Sequence, residues 1–103
     1  MIRLVKHKYK AIPVEIEGIR FASKKEGRYF QQLRIREKSG EIVFFLRQVP
    51  IHLPGNVRYV IDFLEFHADG TVHFVDVKGI RTEAYKIKKR MVEAVYPITI
   101  EEK

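Results

Sequence analysis

The spacing of apolar and polar positions changes repeatedly along this chain, and each change predicts a new element. Residues 12 to 23, "IPVEIEGIRFAS", alternate about Glu17-Gly18, which predicts two short strands joined by a tight hairpin turn. From there the spacing becomes helical, with an apolar stripe at Tyr29, Phe30 and Leu33 and the aliphatic stem of Glu37. Ser23 and Glu26 stand at capping-box distance and Ser39-Gly40 supplies a stop, so a helix is expected over residues 24 to 38. Gly27 inside it counts slightly against the helix. "EIVFFLRQVPIHL", residues 41 to 53, is rich in β-branched and aromatic residues and reads as a strand that bends or ends near Pro50.

After the turn signal Pro54-Gly55-Asn56 comes "RYVIDFLEFHADGTVHFVDVKG", residues 58 to 79, two β-rich runs broken by "HADG". A three-residue loop with Gly70 in the left-handed conformation pairs His67 with Thr71 and sets Asp62 directly across from Asp76. A two-residue loop would instead send the two carboxylates to opposite faces. Val60, Asp62, Leu64 and Phe66 share one face of the first strand, and Ile61 and Phe63 share the other. Both faces are apolar, so a central strand covered on two sides is expected.

"TEAYKIKKRMVEAVYP" then predicts a helix with Ala84, Ile87, Met91 and Val95 toward the core, and "ITI" a short last strand. The order is hairpin, helix, three strands, helix, strand. That is an α+β (α/β) domain, a central mixed sheet flanked by helices. The first ten residues, basic and aromatic, are read as an arm or an edge strand. At 103 residues the chain is expected to form one domain with a single modest core.

Composition narrows the function. With no cysteine, disulfides, thiol catalysis and cysteine-bound zinc are excluded, so any metal must be held by oxygen or imidazole. No stretch approaches the roughly 20 apolar residues that cross a bilayer, and the N-terminus lacks the apolar run of a secretory signal. No membrane partner and a cytoplasmic location are the expectation. The formal net charge of +7 favours a polyanionic partner, nucleic acid before an anionic membrane surface.

Asp62 and Asp76 therefore need an explanation, because a carboxylate buried without a partner costs several kcal/mol and two close ones repel. Lys78, two residues after Asp76 and on its face, can offset one charge. A divalent cation offsets both, held by carboxylate oxygens at about 2.0–2.5 Å with water completing its shell. A lysine beside it can orient an attacking water and stabilise charge on a phosphate. The simpler alternative is a buried Asp–Lys salt bridge with Asp62 hydrogen-bonded to backbone.

Asp62, a gap of thirteen residues and then "DVK" at 76 to 78, set in hydrophobic strands, resembles the PD-(D/E)XK nuclease signature, with "VID" where "PD" would stand. The order of elements is similar to that superfamily's restriction-endonuclease-like core. "FASKKEGRYF" and "VDVKGIRTEAYKIKKRMVEAVYP" look like counterparts in its small phage endonuclease-like members and, more distantly, in endonuclease I-type Holliday junction resolvases. The resemblance implies that Asp62 and Asp76 bind Mg2+ or Mn2+, that Lys78 serves the nucleophilic water, and that Glu26 completes the acidic cluster. It also implies a phage or prophage origin. Glu26 has a competing role as the helix cap, worth about 1 kcal/mol. Gln48 either lines the site through its amide or makes a strand-end hydrogen bond. His7, His52, His67 and His73 show no ligand spacing and are read as bystanders or phosphate contacts.

Basic residues cluster near these acids. Lys86, Lys89 and Arg90 are expected to form a cationic ridge on the last helix, extended by Arg81, while Lys24, Lys25 and Arg28 make a second patch beside Glu26. Such surfaces track a phosphate backbone without reading bases. The sequence is thus read as a metal-dependent DNA endonuclease, and the resemblance implies branched or junction DNA as its favoured substrate and a homodimer as its acting form. The alternatives are a non-catalytic nucleic-acid-binding module and an assembly or scaffolding factor.

Overall fold

The computed structural model describes residues 12 to 103, so the arm or edge strand expected over the first ten lies outside the described residues. A short hairpin, β1 (Val14–Ile16) and β2 (Ile19–Phe21), turns at Glu17 (φ 55°) and Gly18 (φ 76°). Positive φ at both central residues matches the twist of the flanking strands, which is why Glu-Gly closes this turn. Helix α1 spans Lys24–Lys38, and Ser23 Oγ accepts the N–H of Glu26 at 3.1 Å as its N-cap. Gly27 is required where it stands. A Cβ there would lie 2.8 Å from Val14 Cγ2 and 2.9 Å from Ile16 Cδ1, so the glycine lets β1 lie close against the helix.

Strand β3 (Ile42–Leu53) pairs antiparallel with β4 (Val57–His67), β4 antiparallel with β5 (Val72–Asp76), and β5 parallel with β6 (Ile100–Glu102). Helix α2 (Glu83–Val95) makes the connection from β5 to β6. The element order and the α+β class are those expected. β3 does not end at Pro50 but runs on to Leu53, because it is the edge strand of the four-stranded sheet, where a missing N–H is tolerated. Its irregularities are a register shift between Ile42 and Phe44 and, two residues before Pro50, Gln48 at φ 53°.

Two apolar clusters hold the sheet. Phe63, Val75 and Val77 pack with Phe21, Phe30 and Leu33 under α1, whereas Tyr59, Ile61, Leu53 and Ile100 pack with Tyr85 and Val92 of α2. Residues two apart on β4, Ile61 and Phe63, therefore serve different clusters. Between them lies Asp62, facing Gln48, and this pair is skipped in the ladder that runs from Arg47↔Phe63 to Val49↔Ile61. A left-handed residue in one strand breaks the pleat. The break falls at the proposed site.

Two expectations are corrected. The inward face of α2 is Tyr85 and Val92, with Met91 packed against the same cluster as expected and Lys89 partly buried beside them, whereas Ala84, Ile87 and Val95 are exposed, the last two at 47% and 51%. The β4 face carrying Val60, Leu64 and Phe66 is not fully covered, since Val60 is exposed and the other two are only half-buried.

Candidate active site

The turn after β4 fixes the position of both aspartates. His67 N–H donates to Thr71 O at 2.9 Å, Gly70 N–H donates to His67 O at 3.0 Å, and Gly70 has φ 89°. This three-residue loop gives the ladder Phe66↔Val72, Leu64↔Phe74 and Phe63↔Val75, whose next step sets Asp62 opposite Asp76. At that step the side chains replace the ladder. Asp62 N–H donates to Asp76 Oδ1 at 3.0 Å, and Val77 N–H donates to Asp62 Oδ2 at 2.9 Å. Each aspartate thus braces the other's strand end.

Asp76 is fully buried, and its second oxygen accepts the hydroxyl of Tyr59. Burial pushes its carboxyl above the usual range, against the opposing Asp62 N–H and the charge of Lys78. The Asp76–Lys78 salt bridge considered from the sequence is not formed among the described residues. Lys78 Nζ instead sits 4.6 Å from the centre of the Tyr85 ring, a cation–π contact that holds the ammonium beside the acids without capping either. Lys25 Nζ donates to Lys78 O at 2.9 Å and ties the start of α1 to this strand end.

Glu26 enters from the first turn of α1. Its backbone N–H is used by the Ser23 cap, but its carboxylate reaches across to the sheet, where Gln48 Nε2 lies 3.4 Å from Glu26 Oε2 and 3.4 Å from Asp62 Oδ1. One amide therefore spans two acids. Glu26 is 6% exposed, and the cation nearest its carboxylate, Arg47, is 4.0 Å away. Burial and then the negative charge of Asp62 push its carboxyl up to about 7, with Asp76 adding to the rise and Arg47 and Lys78 opposing it. Raised acids of this kind collect at functional sites.

Two hollows meet at these carboxylates. One, of about 450 Å³, is lined by Ser23, Lys24, Lys25, Glu26, Asp62 and Lys78. The other, of about 370 Å³, is lined by Arg20, Arg47 and Gln48 and shares Glu26 and Asp62 with the first. Among the described residues no group of three or more His, Asp or Glu stands at metal-ligating geometry. The donor set nevertheless suits a hard cation, being three carboxylates, two of them buried, with the Glu26 carboxyl raised by burial and then by the charge of Asp62.

The basic surfaces fall unevenly. Lys24 and Lys25 line the larger hollow, and Arg28 borders a separate one with Tyr29 and Lys103. The expected ridge on α2 is partly neutralised. Arg81 and Lys89 both pair with Glu102, at 2.8 and 3.3 Å, and Lys86 pairs with Glu83 at 3.1 Å, leaving Arg90 exposed. His67 and His73 stack at 4.0 Å and bond to Glu65 and Glu101, away from the three acids. Tyr59, Arg47, Arg20 and Tyr85 were not singled out from the sequence. Their only signal was proximity, Tyr59 lying three residues before Asp62 and Arg47 next to Gln48.

Fold and site define a small α+β domain with a carboxylate-lined, lysine-flanked cleft at the end of its central strands. Residues 6–101 match the family described as "Protein of unknown function (DUF1064)", and the chain belongs to that family. Among curated proteins and solved structures no match was found.

Proposed function

We propose that the protein is a metal-dependent endonuclease of the PD-(D/E)XK type that hydrolyses phosphodiester bonds in DNA. The observation that carries this reading is a continuous chain of contacts joining three carboxylates from three elements. Asp76 bonds the Asp62 backbone, and the Gln48 amide spans Asp62 and Glu26. Glu26, Asp62 and Asp76 would hold Mg2+ or Mn2+, which when bound supplies Lewis-acid polarisation and neutralises charge on phosphate. Tyr59 donates to the Asp76 carboxylate, and Gln48 bridges Asp62 and Glu26. Lys78, carrying its charge beside Tyr85 and free of a carboxylate partner within 4.0 Å among the described residues, can orient water or stabilise developing negative charge. Lys24 and Lys25 would seat the phosphate backbone in the larger hollow. These contacts read charge and shape and no base sequence, and the substrate proposed is branched DNA. One site on a domain of this size cuts one strand, so the reading also calls for a homodimer.

A second reading has its own support. Both oxygens of Asp76 already accept protein donors, which suits a non-catalytic nucleic-acid-binding module as well. Incubation with linear, nicked and four-way-junction DNA, with and without Mg2+ or Mn2+, separates the two. The nuclease cuts only with metal and stops cutting in Asp76→Ala and Lys78→Ala while retaining DNA. Salt-sensitive retention with no cleavage under either metal overturns the nuclease reading.

A further inference from the structure

Among the described residues the sheet has one covered face and one bare region. Phe45, Phe63 and Val75 lie under α1. The alternate residues Phe44 and Leu46 on β3, Leu64 and Phe66 on β4, and Val72 on β5 point the other way. They are contiguous, because Phe44 pairs with Phe66, Leu46 with Leu64, and Phe66 with Val72 across the ladders. The Phe44 and Phe66 rings stack at 4.3 Å with 12° between their planes, giving the patch a flat centre. Phe74, next along β5, already belongs to the α2 cluster, so the cover given by α2 stops there. Phe44, Leu46 and Val72 remain 44%, 47% and 46% exposed.

We infer that this face is where a second copy of the chain docks. At about 150–250 Å² for a fully exposed aromatic residue, and less for Leu and Val, the five residues leave on the order of 300 Å² of contiguous apolar surface, in the range of the largest patch on a typical monomer, which is often functional. A standard interface takes about 800 Å² from each partner and is about 65% apolar in homodimers. The patch supplies more than half of that apolar share. None of its five positions is charged. Such a composition fits the core of a permanent self-association better than a transient contact, which is about as polar as the rest of a protein surface. A flat ring pair is also self-complementary about a two-fold axis, as an isologous interface requires.

The inference extends the two-site requirement of the nuclease reading, yet molar mass is measured without cleavage, so either can fail alone. Light scattering on the full chain over a dilution series should give twice the 12.2 kDa of the chain. Phe44→Asp and Val72→Asp, at positions nearly half exposed and checked for folding by far-UV circular dichroism, should each weaken dimerisation by about 30-fold or more. A wild-type chain that stays monomeric at every concentration overturns the inference and leaves the face to a different partner. A dimer that survives both substitutions overturns it by placing the interface elsewhere.

Discussion

Replacing Glu26 with glutamine should make the protein more stable above neutral pH, although it removes a residue of the proposed site. The folded-state pKa of Glu26 is pushed up from 4.5 to about 7. The folded protein therefore holds this proton where the unfolded chain has released it. Its contribution is fully present below about pH 4.5 and is lost as pH rises through about 7. At 1.36 kcal/mol per pK unit the full effect is about 3 kcal/mol, and screening by water in the cleft brings it to about 2 kcal/mol. Glutamine keeps the shape and the neutral form. Urea unfolding at about pH 5 and about pH 8 reads the difference. Wild type and Glu26→Gln should agree within about 0.5 kcal/mol at the lower pH, and the variant should be about 2 kcal/mol more stable at the higher one, roughly 8–15 °C in Tm for a chain of this size. Added Mg2+ or Mn2+ should narrow that gap by stabilising only the wild type. A variant no more stable than wild type at about pH 8 would show that neither burial nor Asp62 burdens the charged Glu26 carboxylate, and the electrostatic case for a cation would fail.

Three further substitutions test the surrounding structure. Gly27→Ala gains about 1 kcal/mol of helix propensity but drives a methyl into Val14 and Ile16. A net loss of about 1 kcal/mol in urea unfolding is expected, and a net gain would mean that β1 does not press on the helix. Tyr59→Phe strips a donor from the buried Asp76 carboxylate and should cost about 1–3 kcal/mol. A change under about 0.5 kcal/mol would remove Tyr59 from the site. Gln48→Gly should relieve left-handed backbone by about 1 kcal/mol whereas Gln48→Ala should not, so equal stabilities for the two variants would argue against strain at this position.

The turn chemistry made the centre of the fold legible. Asp69-Gly70 sets a three-residue loop, and that loop fixes the register that puts Asp62 across from Asp76. Ser23 and the helical stripe gave α1 its bounds for equally local reasons. What the sequence hid depends on partners distant along the chain. On α2, Ala84, Ile87, Met91 and Val95 make an apolar stripe as regular as the true inner face, with which it shares only Met91. The choice is settled by Tyr85 and Lys89 both reaching Glu102 on β6. Pro50 looked like a break because nothing local shows that β3 is an edge. Gly27 looked like a weakness because the strand that needs its missing Cβ lies before the helix. The alternate face of β4 looked buried because its apolar pattern is the same whether a helix or a second protein covers it. Within the site, Glu26 could be placed on α1 by its spacing, but its choice between cap and cleft could not. In the structure the backbone N–H serves the cap and the carboxylate turns to Gln48.

Titrating the full chain with Mn2+ and counting bound ions by electron paramagnetic resonance bears most directly on the shared-cation claim. Saturation at a single ion per chain, abolished by Asp62→Asn and weakened by Glu26→Gln, is the outcome the account predicts. Absence of saturable binding, or binding indifferent to both substitutions, would contradict it.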